Sequence, residues 1–252
     1  MTGLALLAVA AISFPETSCD TWLRDRYGKL PFADYALVSR AARTLEANSN
    51  GKGLENSYSK APFPWLPLRG IMPSPAHFAG VWNWDSAFHM MGVSRWDAAY
   101  ARDQVRLFTE VLQLPDGMYA DCVREGEDPI VHLQIGKHPA KGFRMVTDCT
   151  KPPVFAWGAW TCDRRSRFDD SFLRTVYDSL VRNEKWWRER RFDKQGEMFH
   201  YDGNPKDPAE RKIAAGWESG MDDSPRWDGD AWNFYAIDLN GCMVLTYRVL
   251  AE

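Results

Sequence analysis

Absences narrow the field before any motif does. The chain has 252 residues, yet no apolar run approaches the roughly 20 residues that a membrane-spanning helix requires, so no transmembrane segment is expected. Its charges nearly cancel, with 31 Lys and Arg against 34 Asp and Glu and a formal net charge of −3. No basic field is offered to nucleic acid or to an anionic membrane, and neither is expected as a partner. The five cysteines, Cys19, Cys122, Cys149, Cys162 and Cys242, lie far apart without a C-x-x-C pair or zinc-type spacing. That excludes a dense disulfide framework and a zinc module, and leaves buried free thiols. Glycine-rich phosphate loops, a nucleophile elbow around Ser86 or Ser224, and internal repeats are also missing. Neither a cofactor nor a metal is expected.

Aromatic surface is abundant instead, with 12 Trp, 13 Phe and 9 Tyr, which favours a broad aromatic-lined cleft. The densest run is Trp217–Asp228, Trp-Glu-Ser-Gly-Met-Asp-Asp-Ser-Pro-Arg-Trp-Asp. Ser219-Gly220 and Ser224-Pro225 break regular structure, so the segment reads as a loop. Trp217, Met221 and Trp227 should pin it against a wall. Glu218, Asp222, Asp223 and Asp228, balanced only by Arg226, would then be partly desolvated and crowded, which drives carboxyl pKa values apart. Acidic loops with Gly, Ser and Pro are also common surface connections. A second segment of the same character, Trp82-Asn-Trp-Asp-Ser-Ala-Phe-His89, favours one shared pocket. Sugar rings pack flat CH faces on indoles and offer hydroxyls to charged acceptors, so Trp alternating with Asp suits a carbohydrate subsite.

Helical periodicity organises the remainder. Asp34–Asn48 reads as a helix ending at Asn48-Ser-Asn-Gly51, and the prolines between 54 and 80 demand an extended loop. A short helix is predicted from Asp85 to about Val93, capped by Asp85 or Ser86, and a longer one over Asp97–Gln113 with Asp97 as its cap. Asp85 and His89, four apart, read as a hydrogen-bonded pair in preference to a metal site. Residues 114–150 should hold little helix, and short apolar pieces such as Ile130–Ile135 suggest a loop or small hairpin. Thr150-Lys151-Pro152-Pro153 looks like the start of a buried helix reaching Cys162. Asp170–Arg190 is amphipathic, and Arg182, Lys185, Arg188, Arg190 and Arg191 read as its solvated face. A polar loop follows Met198–Tyr201. The last apolar element, Trp232–Glu252, carries no terminating signal, as at a cut end.

Trp82-Asn-Trp-Asp-Ser-Ala-Phe-His89, Lys151-Pro-Pro153, Glu218–Asp228 and Asp238-Leu-Asn240 fall in an order and spacing that resembles glycoside hydrolase family 63 and its mannosylglycerate-hydrolase-like branch, with trehalases more distant. The resemblance spans roughly residues 33–252, leaving 1–32 as an N-terminal segment. It implies an all-α fold, an (α/α)6 toroid of helical hairpins of which the chain would hold the N-terminal half to two-thirds. It also implies an inverting α-glycosidase acting on a non-reducing-end glucosyl or mannosyl unit. By that likeness Asp222 is the catalytic general acid, Asp85 holds sugar hydroxyls, and Trp82 and Trp84 line the subsite; the general base would lie beyond residue 252. Lys151 stands where such enzymes usually have Gln, at a sugar-contacting position. Trp217, Glu218, Arg226 and Trp227 are further substrate-binding candidates. Asp223 beside Asp222 would raise the pKa of the acid.

Two other readings belong to different classes: a sugar-binding protein without turnover, and an inactive half-barrel exposing apolar helix faces. The N-terminal run Met1–Phe14 resembles the apolar part of a secretion signal but lacks a positive n-region and a clean cleavage site. Localisation therefore stays open between the cytoplasm and the secretory pathway.

Overall fold

The computed structural model describes residues 17–49, 68–74, 78, 80–124, 145–146, 149–202, 208–222, 224–227 and 235–252. The Met1–Phe14 run, Ile130–Ile135, Asp223, Asp228 and Trp232 lie outside the described residues. Helices carry the described chain: α1 (Ser18–Tyr27), α2 (Phe32–Ala47), α3 (Asn83–Val93), α4 (Ala98–Arg106), α5 (Phe155–Ser166), α6 (Asp170–Arg190), α7 (Pro208–Ser219) and α8 (Ile237–Leu250). The strands are short and antiparallel. β1 (Val81–Trp82), β2 (Cys122–Arg124) and β3 (Met145–Val146) form one sheet, and β4 (Phe192–Asp193) pairs with β5 (Met198–Phe199). The fold is all-α, as expected. Among the described residues no helix is long and apolar enough to cross a membrane.

Local chemistry explains most boundaries. The Asp97 carboxylate accepts the Tyr100 amide at 2.8 Å and caps α4, and Asp169 does the same for α6 through the Phe172 amide at 3.0 Å. Beyond α4 the chain widens into a π-helical turn over Leu107–Leu112, closed by the Gln113 amide on the Phe108 carbonyl at 3.0 Å. α5 starts at Phe155, later than predicted, and Thr150 does not cap it. The reason is Pro152-Pro153, since a residue preceding proline is pushed out of helical geometry. Lys151 therefore sits on a buried non-helical segment ahead of the helix.

Two further expectations fail. The polar loop before Trp217 is largely helix α7, which continues through Trp217 and Glu218 to Ser219. The break comes at Gly220, whose φ is +70°, a conformation glycine adopts without strain. Ser219 prepares it by donating to the Gly216 carbonyl at 2.7 Å and accepting the Met221 amide at 3.0 Å. Arg191, assigned to the solvated face of α6, is 3% exposed. It closes α6 inward because Glu218 draws the guanidinium into the interior.

α3, α4 and α5 pack around a core that includes Met90, Val105, Phe108, Tyr119, Phe155 and Leu180. Phe108 and Phe155 stack at 4.1 Å with Tyr119 edge-on to both, an arrangement aromatic pairs favour. A second cluster joins Trp186 and Trp187 of α6, Phe199 of β5, Tyr201, Trp227, and Leu239 and Met243 of α8. The site lies where elements of these two clusters approach each other.

Candidate active site

α3 begins directly after β1, so Trp84 and Asp85 occupy its first turn. Trp82 precedes the helix without capping it, and neither Asp85 nor Ser86 takes the cap position expected of it. On the other side, α7 ends at Ser219 and the chain turns through Gly220 to Asp222. The two segments touch. A Cβ placed on Gly220 would lie 2.5 Å from the six-membered ring of Trp84, so the indole rests on bare backbone where any side chain would collide. Asp85 and Asp222, 137 positions apart in the chain, thereby reach one place.

Between them lies a buried cation. The Lys151 ammonium donates to the carbonyl of Trp217 and stands 3.7 Å from Oδ2 of Asp121. Burial alone would push the lysine down, but the charges of Asp121, Cys149, Asp222 and Asp85 outweigh it and hold the pKa above its ordinary value. Asp121 moves the opposite way: burial drives it up to about 7, with Lys151 opposing and the charges of Asp85 and Asp222 adding to the rise. Burial also raises Asp85, against its own backbone amide and Lys151. Three carboxylates thus share one lysine.

Asp121 is anchored through its backbone. Its carbonyl accepts the Asn83 amide and its amide donates to the Cys149 carbonyl, both at 2.8 Å. One side-chain oxygen, Oδ2, accepts from the Cys149 thiol at 3.8 Å. The other, Oδ1, is buried and has no hydrogen-bond partner among the described residues. Sequence reasoning missed Asp121. It belongs to no Trp-rich run, and its importance rests on meeting a lysine 30 positions away.

The other candidates separate into two groups. Trp82 and Trp217 are half-buried; the Trp82 indole donates to the Phe78 carbonyl at 3.0 Å, and Trp217 packs beside Cys149 and Ala214. Glu218 is 0% exposed and serves the scaffold: it accepts from Arg191 Nε at 2.9 Å, from Arg191 Nη2 at 2.8 Å and from the Asp202 amide at 3.0 Å. Nothing of it remains for a sugar. Trp227 is likewise a core residue, 4% exposed, its indole donating to the Met221 carbonyl at 2.8 Å. Arg226 binds Asp238 at 2.9 Å, and Tyr201 donates to the same carboxylate at 3.0 Å. Asn240 bonds both the amide and the carbonyl of Phe199 at 2.9 Å. The Asp238-Leu-Asn240 motif therefore clamps β5 and the 225–227 turn onto α8. Asp222 itself is exposed on its turn, open to solvent and to a ligand.

The expected Asp85–His89 pair does not form. His89 bonds the backbone of Ile71, its Nδ1 is buried without a partner among the described residues, and burial pushes its pKa down to about 4. It is a neutral interior residue.

Comparison with known proteins agrees with this fold. Two crystal structures of GH63 mannosylglycerate hydrolase from Thermus thermophilus, one with Tris and one with Tris and D-glycerate, superpose with TM-scores of 0.52 and 0.53 at 19% and 20% identity. Each match covers 85% of this chain but only 50% and 49% of the solved chains. The chain thus spans about half the length of the solved structures it matches, and at that identity the likeness speaks for the fold. No curated protein matches. The family model for the mannosylglycerate hydrolase MGH1-like glycoside hydrolase domain matches residues 79–235, more than half of the chain and a stretch that includes Trp84, Asp85, Asp121, Lys151 and Asp222. The chain belongs to the MGH1-like glycoside hydrolase domain family.

Proposed function

We propose that this chain carries the acid-bearing part of a site that hydrolyses an α-glycosidic bond with inversion. The single observation that supports it is the contact of Trp84 with Gly220, which gathers Asp85 and Asp222 around Lys151. In this reading a non-reducing-end pyranose lies against Trp84, with Trp82 extending the wall. Its hydroxyls are held by Asp85. Asp222, solvent-facing at the rim, delivers a proton to the departing glycosidic oxygen. Inversion requires a second carboxyl group about 6.5–9.5 Å away to activate water, a role assigned to none of the described residues, because Asp85 and Asp121 both face Lys151.

Mannosylglycerate is the first substrate to test, given the solved relatives, followed by α-glucosides. Turnover is measured by proton NMR, which also reports the first-formed anomer: β from an α-linked substrate marks inversion. In a longer chain that supplies that second carboxyl group, Asp222→Asn should abolish turnover while leaving the melting temperature unchanged. Intact turnover in that variant removes Asp222 from the role of acid, and a first-formed α anomer removes inversion.

A further inference from the structure

Asp121 has a place in the site that its chemistry as a surface acid would not explain. It is 6% exposed, and its backbone ties the start of α3, through Asn83, to the 149–151 segment. Oδ2 faces the Lys151 ammonium and the Cys149 thiol. The same ammonium donates to Trp217 in the last turn of α7, just before Gly220 and Asp222. A lysine head is a compact point charge on a flexible four-carbon stem and keeps one position only where partners fix it.

We infer that Asp121 is a positioning residue: resting on the glycosidic reading of this site, it pins the Lys151 ammonium between the segments that carry Asp85 and Asp222, and so sets how both acids meet a sugar. The groups facing Asp121 are Lys151, Cys149, Asp85 and Asp222. With a pKa of about 7, Asp121 is ionised and pairs with Lys151 on the alkaline side, and is neutral on the acid side. Affinity for a sugar should therefore rise with pH through neutrality.

The test is calorimetric titration of the full chain with methyl α-D-mannopyranoside and methyl α-D-glucopyranoside at about pH 5 and about pH 8. Asp121→Asn keeps the shape and the backbone bonds of the residue but cannot ionise. Its affinity should fall about tenfold at the higher pH, an equilibrium change of about 1.4 kcal/mol, and match the wild type at the lower. Equal losses at both pH values, or none at either, overturn the inference. Should that variant fail to fold, Lys151→Met must lose the same pH-dependent step, and a persisting step is equally fatal. If the wild type binds neither sugar, the glycosidic reading falls. The positioning role is then judged by melting temperature at about pH 8, where Asp121→Asn should add little to Lys151→Met; fully additive losses overturn it.

Discussion

Two ion pairs buried in the same region, Arg191–Glu218 and Lys151–Asp121, use similar charges for opposite ends. Arg191 and Glu218 are 3% and 0% exposed, joined by a forked guanidinium–carboxylate contact, and the remaining demand of Glu218 is met by the Asp202 amide. Trp186 lies 4.9 Å from the guanidinium and completes its enclosure. Lys151 and Asp121 are almost as buried, yet stand 3.7 Å apart, share their charge with two further acids, and leave Oδ1 without a partner among the described residues. A saturated pair fastens a scaffold. An unsaturated one, surrounded by like charges, keeps electrostatic capacity for something that binds, as expected of functional sites.

The largest expected effect breaks the saturated side of that comparison. Glu218→Gln leaves a buried guanidinium without its counter-charge, which typically costs 3–5 kcal/mol, on the order of what removing one partner of an interior pair does. Chemical denaturation should show that loss. Lys151→Met, replacing the cation by an apolar side chain of similar length, should lower stability much less while weakening sugar binding at about pH 8 to the level seen at about pH 5. Equal destabilisation by the two would erase the distinction between scaffold and site.

Next in size is Gly220→Ala. Its φ of +70° costs an L-residue about 1–2 kcal/mol, and the added methyl would meet the Trp84 ring at 2.5 Å. Together these should lower stability by about 2–3 kcal/mol and separate the segments carrying Asp85 and Asp222. Denaturation curves and indole fluorescence check both consequences. An unshifted midpoint would mean that the indole can leave the glycine freely.

How much of this was readable in advance follows from the same contrast. α6 was visible because Leu173, Val176, Tyr177 and Leu180 recur at helical spacing behind a capping Asp169, both of which are local signals, although the face the fold buries is centred on Phe172, Val176 and Leu180 and leaves Tyr177 exposed. The meeting of the 82–89 and 217–228 segments was legible through their shared Trp and Asp content, even though α7 was mistaken for loop because Gly216 and Ser219-Gly220 interrupt its pattern. What composition does not separate is a tryptophan that lines a site from one that fills a core. Trp84 and Trp227 look alike in sequence, yet Trp84 is half-buried against Gly220, whereas Trp227 is 4% exposed, bonded to Met221 and packed on Tyr201 at 6.2 Å between ring centres. Arg191 and Glu218 were misjudged for the same reason: each is a polar letter whose meaning depends on a partner 27 positions away.

The last test concerns pH, and it sharpens the contrast by titrating the acids around Lys151 while the saturated pair stays fixed. The pKa of Asp121 is raised from 3.8 to about 7 in the folded chain, so between those values the native state holds a proton that the unfolded state has released. Stability on this account is fully present below about pH 4 and is lost progressively as pH rises to about 7. Asp85 contributes in the same direction, since burial raises it too. In Asp121→Asn the neutral amide cannot release a proton, so the decline between about pH 5 and 7 should flatten relative to the wild type. Glu189→Gln provides the reference: its pairing with Lys185 on α6 is 3.7 Å long with side chains 59% and 66% exposed, worth a few tenths of a kcal/mol at most. That variant should retain the wild-type slope. Urea midpoints across the range decide the matter, and parallel slopes for all three proteins would mean that the Asp121 proton is not held by the fold.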